Sequence, residues 1–149
     1  MLKRFLGKGG TGLAEASKGL NKKAELGRLG ELAAEKYLKK KGYRILERNF
    51  NGRFGELDII ARKGETLVFV EVKTRSGSGY AAAKEAVDSR KAARIIKAAC
   101  EYMQRKGLPE DTRVRFDVIG ITAGAGGEAG LSGSGEIIIE QIEAAFDAG

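Results

Sequence analysis

The segment LVFVEVK, Leu67–Lys73, sets a chemical problem. Leu67, Val68, Phe69, Val70 and Val72 mark a strand made for the interior, yet Glu71 and Lys73 lie two residues apart on one face of it. Burying an ion costs several kcal/mol unless it is paired or neutralised. Upstream, ELDIIAR adds Glu56 and Asp58, and the short connection KGET, with Gly64 as its permissive residue, predicts a hairpin. A four-residue loop pairs Arg62 with Leu67 and sets Asp58 opposite Glu71. A two-residue turn at Lys63–Gly64 instead sets Glu56 opposite Glu71 and Asp58 opposite Phe69. Either even-length loop puts Glu56, Asp58, Glu71 and Lys73 on one face.

Carboxylates this close repel unless one is protonated or a cation sits between them. A divalent metal resolves the conflict, with Asp58 and Glu71 as ligands and the Val72 carbonyl as a third oxygen. Lys73 then positions or polarises a water and offsets charge developing on a phosphate. Such a set hydrolyses phosphodiesters. The bland alternative is a Glu71–Lys73 or Asp58–Lys73 ion pair at the solvated end of a sheet. Glu31 interrupts the helical stripe Gly27, Glu31, Ala34, Leu38, and is read equally well as a helper at the site or as a surface acid near a helix start.

Composition narrows the metal. The 149 residues contain no histidine and one cysteine, Cys100, so zinc sites of the usual kind are excluded and Mg²⁺ or Mn²⁺ is expected. Cys100, among Ala98, Ala99 and Tyr102, is expected to be a packed core thiol. A lone cysteine forms no internal disulfide, and a cytoplasmic location is expected. No apolar run approaches the roughly 20 residues needed to cross a bilayer, so no membrane is expected as a partner. The net charge of +7 favours a polyanion, although Lys3, Arg4, Lys8, Lys18 and Lys22 against Glu15 place four of those charges in residues 1–22.

The elements that position these residues follow from periodicity. Residues 1–22 read as a flexible basic arm, and GKGGTG within it lacks the closing Gly-Lys-Ser/Thr of a phosphate-binding loop. A domain is expected over 23–147. Leu26, Leu29, Ala33 and Tyr37, with Ala34 and Leu38, predict a helix over Lys23–Lys41 capped by Gly42. Gly27 and Gly30 cost that helix about 1 kcal/mol each relative to alanine, which suggests close approach to the sheet. YRILERNF is a short strand, NGRFG a turn, and the hairpin follows. TRSGSGYAAA is a loop, Lys84–Lys106 an amphipathic helix, VRFDVIGI a buried strand, 122–135 a mobile glycine-rich loop, EIIIEQI a last strand and EAAF a tail. The order α, β, β, β, α, β, β predicts one α/β domain with a mixed sheet.

The stretches GRLGELAAEKYLKKKGYRILERNF, GELDIIARKGETLVFVEVKTR, AVDSRKAARI and RFDVIGI resemble the YraN family of bacterial proteins. That family is distantly similar to archaeal Holliday-junction resolvases and is placed in the PD-(D/E)XK nuclease superfamily. The resemblance spans about residues 23–147 and is most specific over Gly55–Arg75. It implies a restriction-endonuclease-like fold with an αβββαβ core flanked by helices. It also implies that Asp58 is the motif aspartate, Glu71 its (D/E), Lys73 its lysine and Glu31 the first-helix glutamate that assists the metal. Leu57 stands where the motif has proline, and Glu56 is an additional acid.

The expected function is metal-dependent endonuclease cleavage of DNA, with branched and single-stranded forms as candidate substrates. The alternatives are a non-catalytic nucleic-acid-binding module of the same fold, or an adaptor whose acids form only structural ion pairs. Arg90, Lys91 and Arg94, with Lys84 and Lys97, are candidates for phosphate contact, although a solvated helix face explains them too. Arg75 and Tyr80 follow the site strand, where a substrate strand could run; Tyr80 is read equally well as stacking on a base or as packing on the domain. Asp117 either joins the site from the next strand or simply faces solvent, with a structural role preferred. By analogy with junction resolvases, a homodimer is expected.

Overall fold

The computed structural model describes residues 2–76, 87–123 and 137–148, with side chains in the first helix from Asn21 onward. Its elements run α1 (Leu2–Lys40), β1 (Arg44–Asn51), β2 (Glu56–Lys63), β3 (Thr66–Ser76), α2 (Ser89–Arg105), β4 (Val114–Ala123) and β5 (Ile137–Phe146). This is the predicted element order with shifted boundaries, among them that of β3, which runs on through Thr74–Ser76, read as loop. The stretch read as an arm is continuous with α1, which starts at Leu2. α2 begins at Ser89 because Asp88 caps it, accepting a 2.8 Å bond from the Lys91 amide. EAAF, read as a tail, completes β5. Tyr80, Lys84 and most of 122–135 lie outside the described residues.

The five strands form one mixed sheet in the order β1-β2-β3-β4-β5, parallel only between β3 and β4. α2 makes the crossover that a parallel pair requires. Alternation along the central strands divides the core. Ile60, Leu67, Phe69 and Phe116 pack under Ile95, Ala98, Ala99 and Tyr102 of α2. Ile59, Ala61, Val68, Val70, Ile119 and Ile121 pack under Ala34 and Leu38 of α1. The sheet is thus covered on both faces, which explains its near-continuous apolar strands.

Two glycines fix where α1 lies. Gly42, at φ +87°, ends the helix with bonds from its own amide to the Lys39 carbonyl and from the Tyr43 amide to the Leu38 carbonyl. Gly30 lies so close to β3 that a Cβ there would meet Thr74 Oγ1 at 1.8 Å. Gly27 has open space around it, so the expected close approach is made by Gly30 alone.

Candidate active site at the opening between β2 and β3

The hairpin pairs Arg62 with Leu67 and Lys63 with Thr66, so the turn is Gly64–Glu65 and the register is the one that sets Asp58 opposite Glu71. Pairing between β2 and β3 stops at Ile59–Val70. Beyond that point β2 stays with β1, through Phe50–Leu57 and Asn51–Glu56, while β3 stays with β4 as far as Ser76. The strands part at the position of the two acids. Asp58 closes the gap with its side chain, its Oδ2 accepting a 2.8 Å bond from the Val72 amide.

The prediction that Glu56, Asp58, Glu71 and Lys73 share one face requires correction. Leu57 packs in the α2-side core with Ile60, three positions on, so strict alternation fails between them. Opposite this break in β1, Asn49, between the Arg48–Ile59 and Phe50–Leu57 pairs, has φ +51°. A left-handed residue breaks the pleat, and asparagine tolerates that conformation best among non-glycine residues. With its amide nitrogen facing the acids, Asn49 donates to Glu31 Oε2 at 3.2 Å and to Glu56 Oε1 at 3.3 Å. Glu56 therefore stands with Glu31.

Asp58 and Glu71 are in hydrogen-bonding contact. Burial first, and then the Glu71 charge, push the Asp58 carboxyl up to about 8, against the pull of the Val72 amide. Glu31 adds a smaller repulsion from α1. Its own carboxyl is raised by burial and then by Glu56, with Asn49 opposing. The pair thus brings two mutually repelling carboxyls together in a buried place. Among the described residues, however, no three carboxylates or thiols gather closely enough to hold one ion.

The bland ion pair with Lys73 is absent from the described contacts. Glu71, 8% exposed, is paired instead with Lys91 of α2, whose Nζ lies 2.6 Å from Oε1. Lys91, expected on a phosphate, is therefore inside the site. Lys73 is half-buried and Arg75 exposed on the same strand, while Arg90 and Arg94 are exposed on α2. Val72 reaches the junction through its amide. Asp117 is fully buried and takes no part: Arg115 holds both its oxygens at 2.8 Å, Gln141 donates at 2.9 Å and the Ala144 amide at 3.1 Å. Cys100, expected in the core, is exposed, because α2 turns Ala98, Ala99 and Tyr102 inward; it lines an apolar cavity of about 230 Å³ against β4 and β5.

Two features escaped the sequence reading. Asn49 was signalled only by its residue type. Phe54, 45% exposed in the β1–β2 turn, carries Lys97 Nζ 5.7 Å from its ring centroid and so extends the basic side of α2 toward β2.

Residues 30–121 match the family described as Uncharacterised protein family UPF0102. The chain belongs to the UPF0102 family. It is 53% identical over 97 residues to a UPF0102 protein of Geobacter sulfurreducens, covering 65% of this chain and 75% of the relative. A UPF0102 protein of Persephonella marina is 46% identical over 95 residues, 64% of this chain and 81% of its own length. One from Chlorobium chlorochromatii is 44% identical over 126 residues, 85% and 94% of the two chains. The UPF0102 match takes in Glu31, Asn49, Asp58, Glu71, Lys73 and Lys91, and leaves out most of α1 before Gly30 and all of β5.

Proposed function

We propose that this UPF0102 protein is a metal-dependent endonuclease that hydrolyses DNA phosphodiesters on a restriction-endonuclease-like fold of the PD-(D/E)XK superfamily. The observation that carries the reading is the Asp58–Glu71 pair, held in contact where β2 and β3 part, with the Asp58 carboxyl pushed up to about 8 by burial and then by the Glu71 charge. Two acids on neighbouring strands, meeting where those strands part, fit a hard divalent cation better than they fit one another. Asp58 and Glu71 would hold Mg²⁺ or Mn²⁺, and Glu31 would add long-range charge. The metal, when bound, supplies Lewis-acid activation of the phosphate and of a water.

The chain's own groups do the rest. The Val72 amide fixes the Asp58 carboxylate, and Asn49 holds Glu31 and Glu56 apart from it. Lys73, with no described acid partner, is free to stabilise charge on a phosphate. The exposed Arg75, Arg90 and Arg94, with Phe54 and Lys97, suit a nucleic-acid backbone and its bases. Cytoplasmic DNA with branches or single-stranded ends is the substrate proposed, met by a homodimer.

The test is Mn²⁺- or Mg²⁺-dependent cleavage of duplex, single-stranded and four-way-junction DNA. Asp58→Asn, Glu71→Gln and Lys73→Met are each expected to lose about 100-fold or more. Cleavage that survives all three substitutions indicates a contaminating nuclease and removes the proposal. The Lys91–Glu71 pair favours a second reading, a binding module without catalysis. It predicts salt-sensitive DNA binding with no metal-dependent cutting.

A further inference from the structure

Glu71 is neutralised from an unexpected direction. The nearest basic residue in sequence, Lys73, makes no described pair with it; the partner is Lys91, on the first turn of α2. A cation in that turn opposes the helix dipole, and the Glu71 contact offsets the cost. The Asp88 cap holds the Lys91 backbone in place. The two partners differ in freedom. Glu71 sits on a strand paired with β4 and its side chain is 9% exposed, whereas that of Lys91 is 34% exposed. A lysine's flexible four-carbon stem lets its ammonium leave without disturbing the helix. A divalent ion and Lys91 lay claim to the same carboxylate.

We propose that Lys91 is the site's built-in counter-ion, holding Glu71 until a divalent cation takes it and then turning outward to a nucleic-acid phosphate. Metal loading and substrate grip are thereby exchanged on one side chain, beside the exposed Arg90 and Arg94. This rests on the metal-dependent reading above, but it fails separately.

Mn²⁺ binding to the full chain without DNA, followed by electron paramagnetic resonance, is the first test. Lys91→Met is expected to bind Mn²⁺ about tenfold or more tightly than wild type at low salt, because a competing charge is gone. Lys91→Arg, which keeps that charge, is expected to show no such gain. The second test is duplex binding in Ca²⁺, with salt varied. There the Lys91→Met slope of log K against log salt is expected to be shallower by about 0.9, one phosphate contact, while without metal the two slopes coincide. Thermal melts check that each variant folds, and Lys91→Gln replaces Lys91→Met if it does not. Equal Mn²⁺ affinities, or equal slopes in Ca²⁺, overturn the exchange alone. Absence of Mn²⁺ binding by wild type and variants alike overturns the metal reading and the exchange with it.

Discussion

Asp58 ties stability to pH with a definite sign. Its ordinary carboxyl value is 3.8, which an unfolded chain would show, whereas the folded site raises it to about 8. Between those limits the native state binds more protons than the unfolded state, so stability falls as pH rises from about 4 to about 8 and levels off above. Glu31, also raised, adds to the same slope. Asp58→Asn is expected to flatten most of this fall and to be more stable than wild type at pH 8, as read by urea denaturation across a pH series. A wild type with no loss between pH 5 and 8 would show that burial does not hold the proton there. The substitution expected to abolish cleavage is thus expected to strengthen the fold, the usual mark of a site that keeps unfavourable charge for its chemistry. Asp117, just as acidic in the sequence, is held instead by four donors and stands outside the site.

At the scale of elements, α1 and α2 play different parts. α1 is held against β3 by the missing side chain at Gly30, and Glu31 follows immediately. Gly30→Ala drives a methyl into Thr74, and overpacking of this kind costs about 1–3 kcal/mol. That exceeds the gain of about 1 kcal/mol in helix propensity. Gly27→Ala, with open space, is expected to keep that gain, so chemical denaturation should move in opposite directions for two like substitutions three residues apart. α2 instead brings charge: Arg90, Lys91, Arg94 and Lys97 crowd its first half with no acid among them. If the exposed ones meet phosphate, Arg90→Ala with Arg94→Ala should lower the salt slope of DNA binding by about 1.8, or 0.9 for each contact. An unchanged slope would return them to solvent.

Over the whole molecule, much was legible before folding. Element order came from the change between helical and alternating periodicity, and Gly42 announced its own cap. The hairpin register was one of two that parity allowed, and pairing in the fold chose the one that sets Asp58 opposite Glu71. Local sequence also named the acids, since a carboxylate in an apolar strand is costly wherever that strand is buried. Periodicity could not show where a pleat breaks or which distant cation answers a buried acid. Asn49 turns left-handed and sends Glu56 to Glu31, and Lys91 crosses from another helix to Glu71. Cys100 departed from expectation for the same reason, since burial depends on which helix face meets the sheet, whereas Asp117 is structural as preferred. Sequence by itself determined the strands, their spacing and the stock of carboxylates without histidine. Only the tertiary structure decided that β2 and β3 part at Asp58, and that Glu71 is already held by an ammonium, because both depend on contacts between segments far apart in the chain.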